Sequence, residues 1–144
     1  DQYGIKWYTM GNEGSIGLFY FNEKSTYDDP SDDVYGYITT NKGLTSNAIY
    51  SLAIDRRGDL WVGTDGDGIN RFDKNNKKKY HYKPDGSYRC ISSYIIYKIF
   101  QDKNGNIWIG TYGGGLNKLN QSTGKFFKYQ FNYFHAKNNS KLTF

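Results

Sequence analysis

The sequence predicts an all-β protein made of β-propeller blades, which are four-stranded antiparallel repeats of about 47 residues, with about three blades in the chain. Three observations support this prediction: one segment recurs at a fixed spacing, the apolar stretches are short, and aromatic residues are common. The chain has 15 Tyr, 9 Phe and 3 Trp among 144 residues. Short aromatic segments separated by Gly, Asn and Asp are typical of strands joined by tight turns.

The repeat is clearest between residues 46–73 and 93–120, which align without a gap at a spacing of 47 residues. Both copies hold the pattern D-x-x-G-x-[IL]-W-[VI]-G-T. Its members are Asp55, Gly58, Trp61, Gly63 and Thr64 in one copy, and Asp102, Gly105, Trp108, Gly110 and Thr111 in the other. The Asp side chain can accept bonds from turn amides, and the Gly supplies a positive φ. We therefore expect these residues to be structural, with the Trp packing back over its hairpin.

A looser third copy opens the chain, since Asp1, Gly4 and Trp7 repeat the same spacing. It lacks the Gly-Thr pair after the tryptophan, and its final strand is predicted at residues 35–38. Because Asp1 already stands at the first turn, this blade lacks its innermost strand. The chain is thus predicted to be one propeller segment, residues 1–144, with blades at approximately 1–45, 46–92 and 93–144.

Each complete unit divides into four predicted strands. In the second unit the strands are expected at residues 49–54, 60–64, 69–72 and 79–82, and in the third at 95–101, 107–111, 116–119 and 126–129. This pattern favours a propeller, because one blade cannot bury both of its faces alone. A β-helix would need shorter coils, and a sandwich would not repeat Asp, Gly and Trp in phase.

At these residues the sequence resembles the two-component regulator propeller repeat. The resemblance rests on L-T-S-N-x-I at residues 44–49, on the Asp-to-Thr pattern above, and on the G-[IL]-N-[RK]-[FL]-[DN] that follows it. It covers nearly the whole chain and is partial in the first unit. It implies a non-catalytic periplasmic sensor module of a hybrid two-component histidine kinase, with the kinase elsewhere in a longer, membrane-anchored protein. It also implies that the ligand is an oligosaccharide.

Closed propellers have about four to eight blades, so three units cannot complete a ring. The chain is then either a piece of a larger propeller or a subunit of a ring that several chains build. An incomplete ring leaves open strand edges, which promote association. We therefore expect self-association or contact with the remaining blades of a longer chain.

The sequence offers little that favours catalysis, metal binding or a cofactor. Its two histidines are His81, on a predicted outer strand, and His135, in the poorly patterned tail, and no catalytic set can be nominated. Residues 65–68 lack the alternating oxygen ligands and the closing Glu of a calcium loop. Cys90 is alone in the sequence, so it forms no intrachain disulfide here. We expect no catalytic residue, no metal and no cofactor.

The net charge of +5 does not by itself indicate a nucleic-acid partner. The densest basic run, residues 77–79, follows two asparagines and is expected at a solvated hairpin tip. No apolar run approaches the roughly 18 residues that a membrane span needs. We therefore expect no nucleic-acid partner and no membrane segment in these residues.

Candidate ligand-binding residues come from the loops between second and third strands and between successive blades. Propellers usually bind ligands on the face that carries these loops. The candidates are Asn12, Glu13, Asn47, Asp65, Asp67, Ser93, Tyr94 and Tyr112. Tyr rings can stack on the C–H faces of sugars, and amides and carboxylates can bond to hydroxyl groups. For any single one of them, turn chemistry is the alternative explanation.

Two hypotheses for function follow. The first is a sensor that recognises an oligosaccharide or a similar periplasmic ligand. The alternative is a structural or protein-interaction propeller without a small-molecule ligand, whose loop face or open edges bind another chain. A propeller lyase or hydrolase would need a cluster of His or carboxylates at the ring centre, and the sequence shows none.

Overall fold

A computed structural model describes residues 4–9, 16–24, 28–75 and 79–130. Within those ranges the strands form three antiparallel sheets, in the orders β1-β2-β3, β4-β5-β6-β7 and β11-β10-β9-β8. Two short 3-10 helices, Pro30–Asp32 and Thr40–Lys42, flank β3. The strands are β1 (Lys6–Tyr8), β2 (Leu18–Asn22), β3 (Val34–Ile38), β4 (Ile49–Ile54), β5 (Leu60–Thr64), β6 (Ile69–Phe72), β7 (Lys79–Tyr82), β8 (Ile96–Gln101), β9 (Ile107–Thr111), β10 (Gly115–Asn120) and β11 (Lys125–Tyr129).

The predicted all-β fold of antiparallel four-stranded units is confirmed for the second and third blades. All four strands of the second blade have the predicted bounds. In the third blade β8 begins one residue later than predicted, while β10 and β11 begin one residue earlier. The three sheets stand in an open arrangement, not in a closed ring.

The second blade is covered on both faces. Every residue of its strand β5 is buried, and successive side chains point to opposite sides. Leu60 and Val62 pack with Leu18 of the first blade, whereas Trp61 packs with Ile99 of the third. The buried cluster between the first and second blades contains Leu18, Ile38, Leu44, Ile49, Leu60, Val62 and Phe72. The cluster between the second and third contains Trp61, Ile69, Ile91, Ile96, Ile99, Ile107, Ile109, Leu119 and Phe126.

A close approach of backbones accompanies this packing. A Cβ atom added to Gly63 would lie 2.6 Å from Cγ2 of Ile96, so only glycine fits there without a shift. The hydroxyl of Ser51, on the innermost strand β4, accepts a hydrogen bond of 2.9 Å from the amide of Ile99 on β8. The innermost strands of adjacent blades are thus tied by a polar contact as well as by apolar burial.

The Asp residue of the repeat organises the turn between the first two strands. Oδ1 of Asp55 accepts hydrogen bonds from the amides of Arg57 (2.9 Å) and Asp59 (3.0 Å), and Oδ2 accepts one from Nε1 of Trp61 (3.0 Å). Gly58 adopts a φ of +84°, as the pattern predicts. The carboxylate therefore fixes both the turn and the orientation of the buried indole.

The third blade repeats this arrangement. Oδ1 of Asp102 accepts from the amides of Asn104 (2.9 Å) and Asn106 (2.8 Å), and Oδ2 accepts from Nε1 of Trp108 (2.7 Å). The hydrogen bonds from Trp108 and Asn106 hold the pKa of the Asp102 carboxyl far below its usual range. In both blades the Asp carboxylate thus joins the turn to the indole of the same motif. Asp1 lies outside the described residues.

The Gly-Thr pair closes the next turn of each complete blade. The hydroxyl of Thr64 donates to the carbonyl of Gly68 at 2.8 Å, and Thr111 does the same to Gly115 at 2.9 Å. Both glycines have a φ of +75°. In the first blade, which lacks this pair, Gly17 has a φ of +95° before β2.

We predict that Asp55→Ala lowers the free energy of unfolding by about 2–4 kcal/mol, because three donors lose their acceptor in a buried turn. Urea unfolding followed by Trp fluorescence would measure this change. Asp85→Ala is the matched control, since the exposed Asp85 accepts a backbone hydrogen bond from Ser87 at a surface turn. Equal losses in the two variants would contradict the structural role of the Asp55 carboxylate.

Asp102 also predicts a pH dependence of stability. Its pKa is lower in the folded state than in the unfolded state, where it is about 3.9. The stability that it contributes is therefore present above about pH 4 and is lost as the pH falls toward the folded-state pKa. We expect Asp102→Asn to lower stability at pH 7 and to flatten the decline below pH 4, as measured by urea midpoints from pH 3 to 7. Parallel curves for the two proteins would contradict this assignment.

Candidate functional site

One end of the blades carries the predicted ligand-binding loops. We call it the loop face, and it comprises the turns at residues 65–68 and 112–114 with the inter-blade segments at 39–48 and 83–95. Backbone hydrogen bonds join these turns to the inter-blade segments. The amide of Asp65 donates to the carbonyl of Ala48 (2.9 Å), and the amide of Gly68 donates to the carbonyl of Tyr94 (2.7 Å). The amide of Tyr112 donates to the carbonyl of Ile95 (3.0 Å). These contacts bring turns of two blades and the segments before them onto one surface.

Several candidate side chains on the loop face are used within the chain. Oδ1 of Asn47 accepts from the amide of Thr40 at 2.9 Å, and Oγ of Ser93 accepts from the amide of Ile95 at 3.2 Å. The hydroxyl of Tyr94 donates to the carbonyl of Pro84 at 3.1 Å. Turn chemistry accounts for these three side chains, so a ligand role for them stays a prediction. Asn12 and Glu13 lie outside the described residues.

The second-blade turn carries the two candidate carboxylates. Asp65 and Asp67 are both half-buried. Nε2 of His81 lies 2.6 Å from the carbonyl oxygen of Asp67 and 3.9 Å from its Oδ1. His81, on the outer strand β7, therefore contacts this turn, which is consistent with a structural role for this histidine.

A row of tyrosines lies along the inner edge of the loop face. The rings of Tyr50 and Tyr97 have centroids 5.6 Å apart at 63°, and those of Tyr97 and Tyr112 are 5.8 Å apart at 74°. Tyr97 is 52% exposed and Tyr112 is 59% exposed. We call Tyr50, Tyr97 and Tyr112 the tyrosine row. It offers solvent-facing aromatic surface that spans two blades.

Sequence reasoning found Tyr112 but missed Tyr50 and Tyr97. A signal was present, because these two residues are 47 apart and each is the second residue of an innermost strand, β4 or β8. Two tyrosines at the same place in successive blades could have indicated a shared position near the ring centre. Their contact with Tyr112 could not have been inferred, since it depends on how the third-blade turn folds back.

Buried asparagines anchor the inter-blade segments to the blades. Nδ2 of Asn70 donates to Oγ1 of Thr45 at 2.8 Å, and Nδ2 of Asn117 donates to Oγ of Ser92 at 2.6 Å. Oδ1 of Asn117 also accepts from the amide of Ser92 at 3.1 Å. The Asn of the G-[IL]-N pattern is thus structural, and it holds the segment that leads into each innermost strand.

Neither a metal nor a membrane site emerges from the described part of the chain. No group of three or more His, Cys, Asp and Glu side chains that could hold a metal ion occurs there. In that same part, no helix has the length and apolar character needed to cross a bilayer.

The third blade has an exposed apolar face that points away from the second blade. We call it the open face, and it comprises Phe100, Trp108, Leu116 and Tyr129. Their equivalents in the second blade are Ala53, Trp61, Ile69 and Tyr82, which pack against the third blade. Ile69 is fully buried, whereas Leu116 is 38% exposed. The open face therefore repeats the surface that the second blade uses to bind its neighbour.

Two segments of the chain match a known family of repeats. The family model of the two-component regulator propeller matches residues 43–66 and 90–113. Both segments begin in the segment before an innermost strand and end in the turn after the Gly-Thr pair. These two segments are therefore similar to two-component regulator propeller repeats.

About half of the chain is similar in sequence to part of a curated protein. The chain is 37% identical over 73 residues to histidine kinase P4 of Formosa agariphila. This alignment covers 51% of the chain and 5% of that protein. The chain thus corresponds to a small part of the kinase that it matches.

Two solved structures show the same fold as these regulator propeller repeats. The extracellular domain of a putative hybrid two-component system from B. thetaiotaomicron matches with a TM-score of 0.70 and 19% identity, over 90% of this chain and 17% of that one. PorZ, a surface component of the type-IX secretion system of Porphyromonas gingivalis, matches with a TM-score of 0.66 and 21% identity, over 96% of this chain and 21% of that one. The predicted β-propeller blades are confirmed by these neighbours.

Proposed function

We propose that this chain is part of the extracytoplasmic sensor propeller of a hybrid two-component system, and that its loop face binds an oligosaccharide. The regulator propeller repeats support the sensor assignment. The similarity to a histidine kinase and to an extracellular domain of a hybrid system supports the location, with the kinase elsewhere in a longer protein.

The tyrosine row is the observation that carries the ligand proposal. Exposed aromatic side chains in contact with one another form a contiguous apolar patch, and such patches often mark binding surfaces. Their faces suit the C–H faces of pyranose rings, and their hydroxyl groups can bond to sugar hydroxyls. The half-buried carboxylates of Asp65 and Asp67 lie on the same loop face and add acceptors for hydroxyl donors.

We predict that Tyr97→Ala weakens oligosaccharide binding up to about tenfold, since one ring contact contributes about 0.5–1.5 kcal/mol. Tyr97 is the test position because it contacts both other rings of the row. Calorimetric titration of a panel of polysaccharide fragments would first identify a binder and then compare the variants. The propeller should be tested with its remaining blades in place.

Tyr35→Ala is the control, because Tyr35 is 69% exposed and lies on β3, outside both the loop face and the tyrosine row. It should bind like the unchanged protein. An equal loss in both variants would argue against the row as the binding surface. Absence of binding by any fragment to the assembled propeller would reject the oligosaccharide proposal itself.

The open face favours a second candidate function, which is binding of another protein. It also favours the self-association that is expected from an incomplete ring. The second blade buries Trp61 and Ile69 completely against the third blade. The third blade presents Trp108 and Leu116 in the same places, and each large apolar side chain that is newly buried contributes roughly 1.5–3 kcal/mol. We propose that another blade packs here, from a second copy or from the rest of a longer chain.

We predict that the isolated chain self-associates and that Leu116→Asp lowers its average mass, because a charge at this position opposes burial of the open face. Light scattering after size exclusion, at several protein concentrations, would measure the mass. Lys103→Asp is the control, since Lys103 is exposed at the turn between β8 and β9. An unchanged mass for Leu116→Asp would show that association uses another surface.

A further inference from the structure

An apolar cavity of about 350 Å³ lies between the first and second blades. Its lining includes the aromatic side chains of Trp7, Tyr20 and Phe72, together with the apolar Leu60 and Ile38. A volume of this size is in the range that binds small organic molecules. The cavity lies beside the turn that contains Gly58, which is the Asp turn of the second blade.

The two residues next to Trp7 on the neighbouring strands differ from those next to Trp61. In the second blade Trp61 is fully covered: the ring of Tyr82 stacks on it at 5.9 Å and 15°, and the guanidinium of Arg71 lies 5.0 Å from it. In the first blade Ile38 and Tyr20 occupy the places of Tyr82 and Arg71.

The strand register shows that Ile38 is equivalent to Tyr82. Ile38 pairs with Leu18 as Tyr82 pairs with Ile69, so both stand at the same place on the outermost strand.

Trp7 is half-exposed and lines the cavity, whereas Trp61 is fully buried. Ile38 has no ring that could stack on the indole, and the ring of Tyr20 is tilted at 53° to that of Trp7, with centroids 5.9 Å apart. The stacked tyrosine of the second blade therefore has no counterpart at Ile38 in the first. A flat aromatic molecule could take the position that Tyr82 takes over Trp61.

The polar groups of the lining favour an anion. Lys42 and Lys74 both line the cavity, and Nζ of Lys42 donates to the carbonyl of Tyr37 at 3.1 Å. Asp73 is the one acid among the lining residues that the structure describes, and it already interacts within the chain. An ammonium group at an apolar pocket attracts a carboxylate, since the charge-assisted hydrogen bond is stronger where water is partly excluded.

We propose that this cavity binds a small aromatic carboxylate, with its ring against Trp7 and its carboxylate toward Lys74. Such a ligand would lie between two blades and would fix their relative packing. The cavity lining includes no residue of the tyrosine row, so binding here can be tested independently of sugar binding.

The test is titration of the purified protein with 2-naphthoate, with binding measured by isothermal titration calorimetry. We expect saturable 1:1 binding on the order of 0.1–1 mM, in keeping with a ligand of this size. The amide 2-naphthamide has the same shape without the charge and should bind more weakly. Lack of saturable binding by 2-naphthoate, or equal affinity for the two compounds, would overturn the proposal.

Two variants taken from the protein's own repeat locate the site. Ile38→Tyr introduces the residue that the second blade has at this place, and its ring should cover Trp7 and reduce affinity at least about tenfold. Lys74→Gln introduces glutamine, which the third blade has at the equivalent position, Gln121. This change should weaken binding about two- to fivefold, the range for one exposed ion pair. Lys103→Gln, at an exposed turn of the third blade, should leave the affinity unchanged.

Thermal unfolding would first establish whether Ile38→Tyr is folded. If it is not, the affinity of Lys74→Gln alone tests whether 2-naphthoate binds in the cavity. Full affinity in a folded Ile38→Tyr, or in Lys74→Gln, would place 2-naphthoate elsewhere and reject the site. Tyr97→Ala should bind 2-naphthoate normally, so failure of the oligosaccharide proposal and failure of this one remain distinguishable.

Discussion

Burial of both faces of a single four-stranded sheet is the constraint on which the rest of this structure depends. The second blade satisfies it, because its strand β5 directs Leu60 and Val62 to one neighbour and Trp61 to the other. A sheet that is only one layer thick has no core of its own, so each blade takes its core from the blades beside it. The requirement for glycine at position 63 has the same origin, because Ile96 of β8 packs directly against it.

Three equivalent tryptophans show how strongly a neighbour determines the environment of one residue. Trp61 is fully buried between Tyr82 and Arg71, Trp7 is half-exposed beside an inter-blade cavity, and Trp108 is half-buried on the open face. In the second and third blades the indole makes the same hydrogen bond to the aspartate of its turn. The local motif is therefore constant, while the surface that the indole offers to a ligand or partner differs from blade to blade.

The tyrosine row and the inter-blade cavity have different chemistry. The loop face exposes the tyrosine row and half-buried carboxylates, which suit a neutral, hydroxyl-rich ligand. The cavity is apolar and has two lysines in its lining, which suits an anion with an aromatic body. Each region is formed by residues of two adjacent blades, so its shape depends on how those blades pack.

The sequence by itself determined the repeat, the strands and the turns, because the Asp, Gly and Thr of the motif act through bonds within a few residues of each other. It also placed Tyr112 among the loop-face candidates. Only the tertiary structure decided that Tyr97 contacts Tyr112, that Asn47 and Ser93 are engaged in their own turns, and that Trp7 lines a cavity. These outcomes depend on how turns fold back and how one blade packs against the next, whereas the repeat spacing indicates only which residues occupy equivalent places.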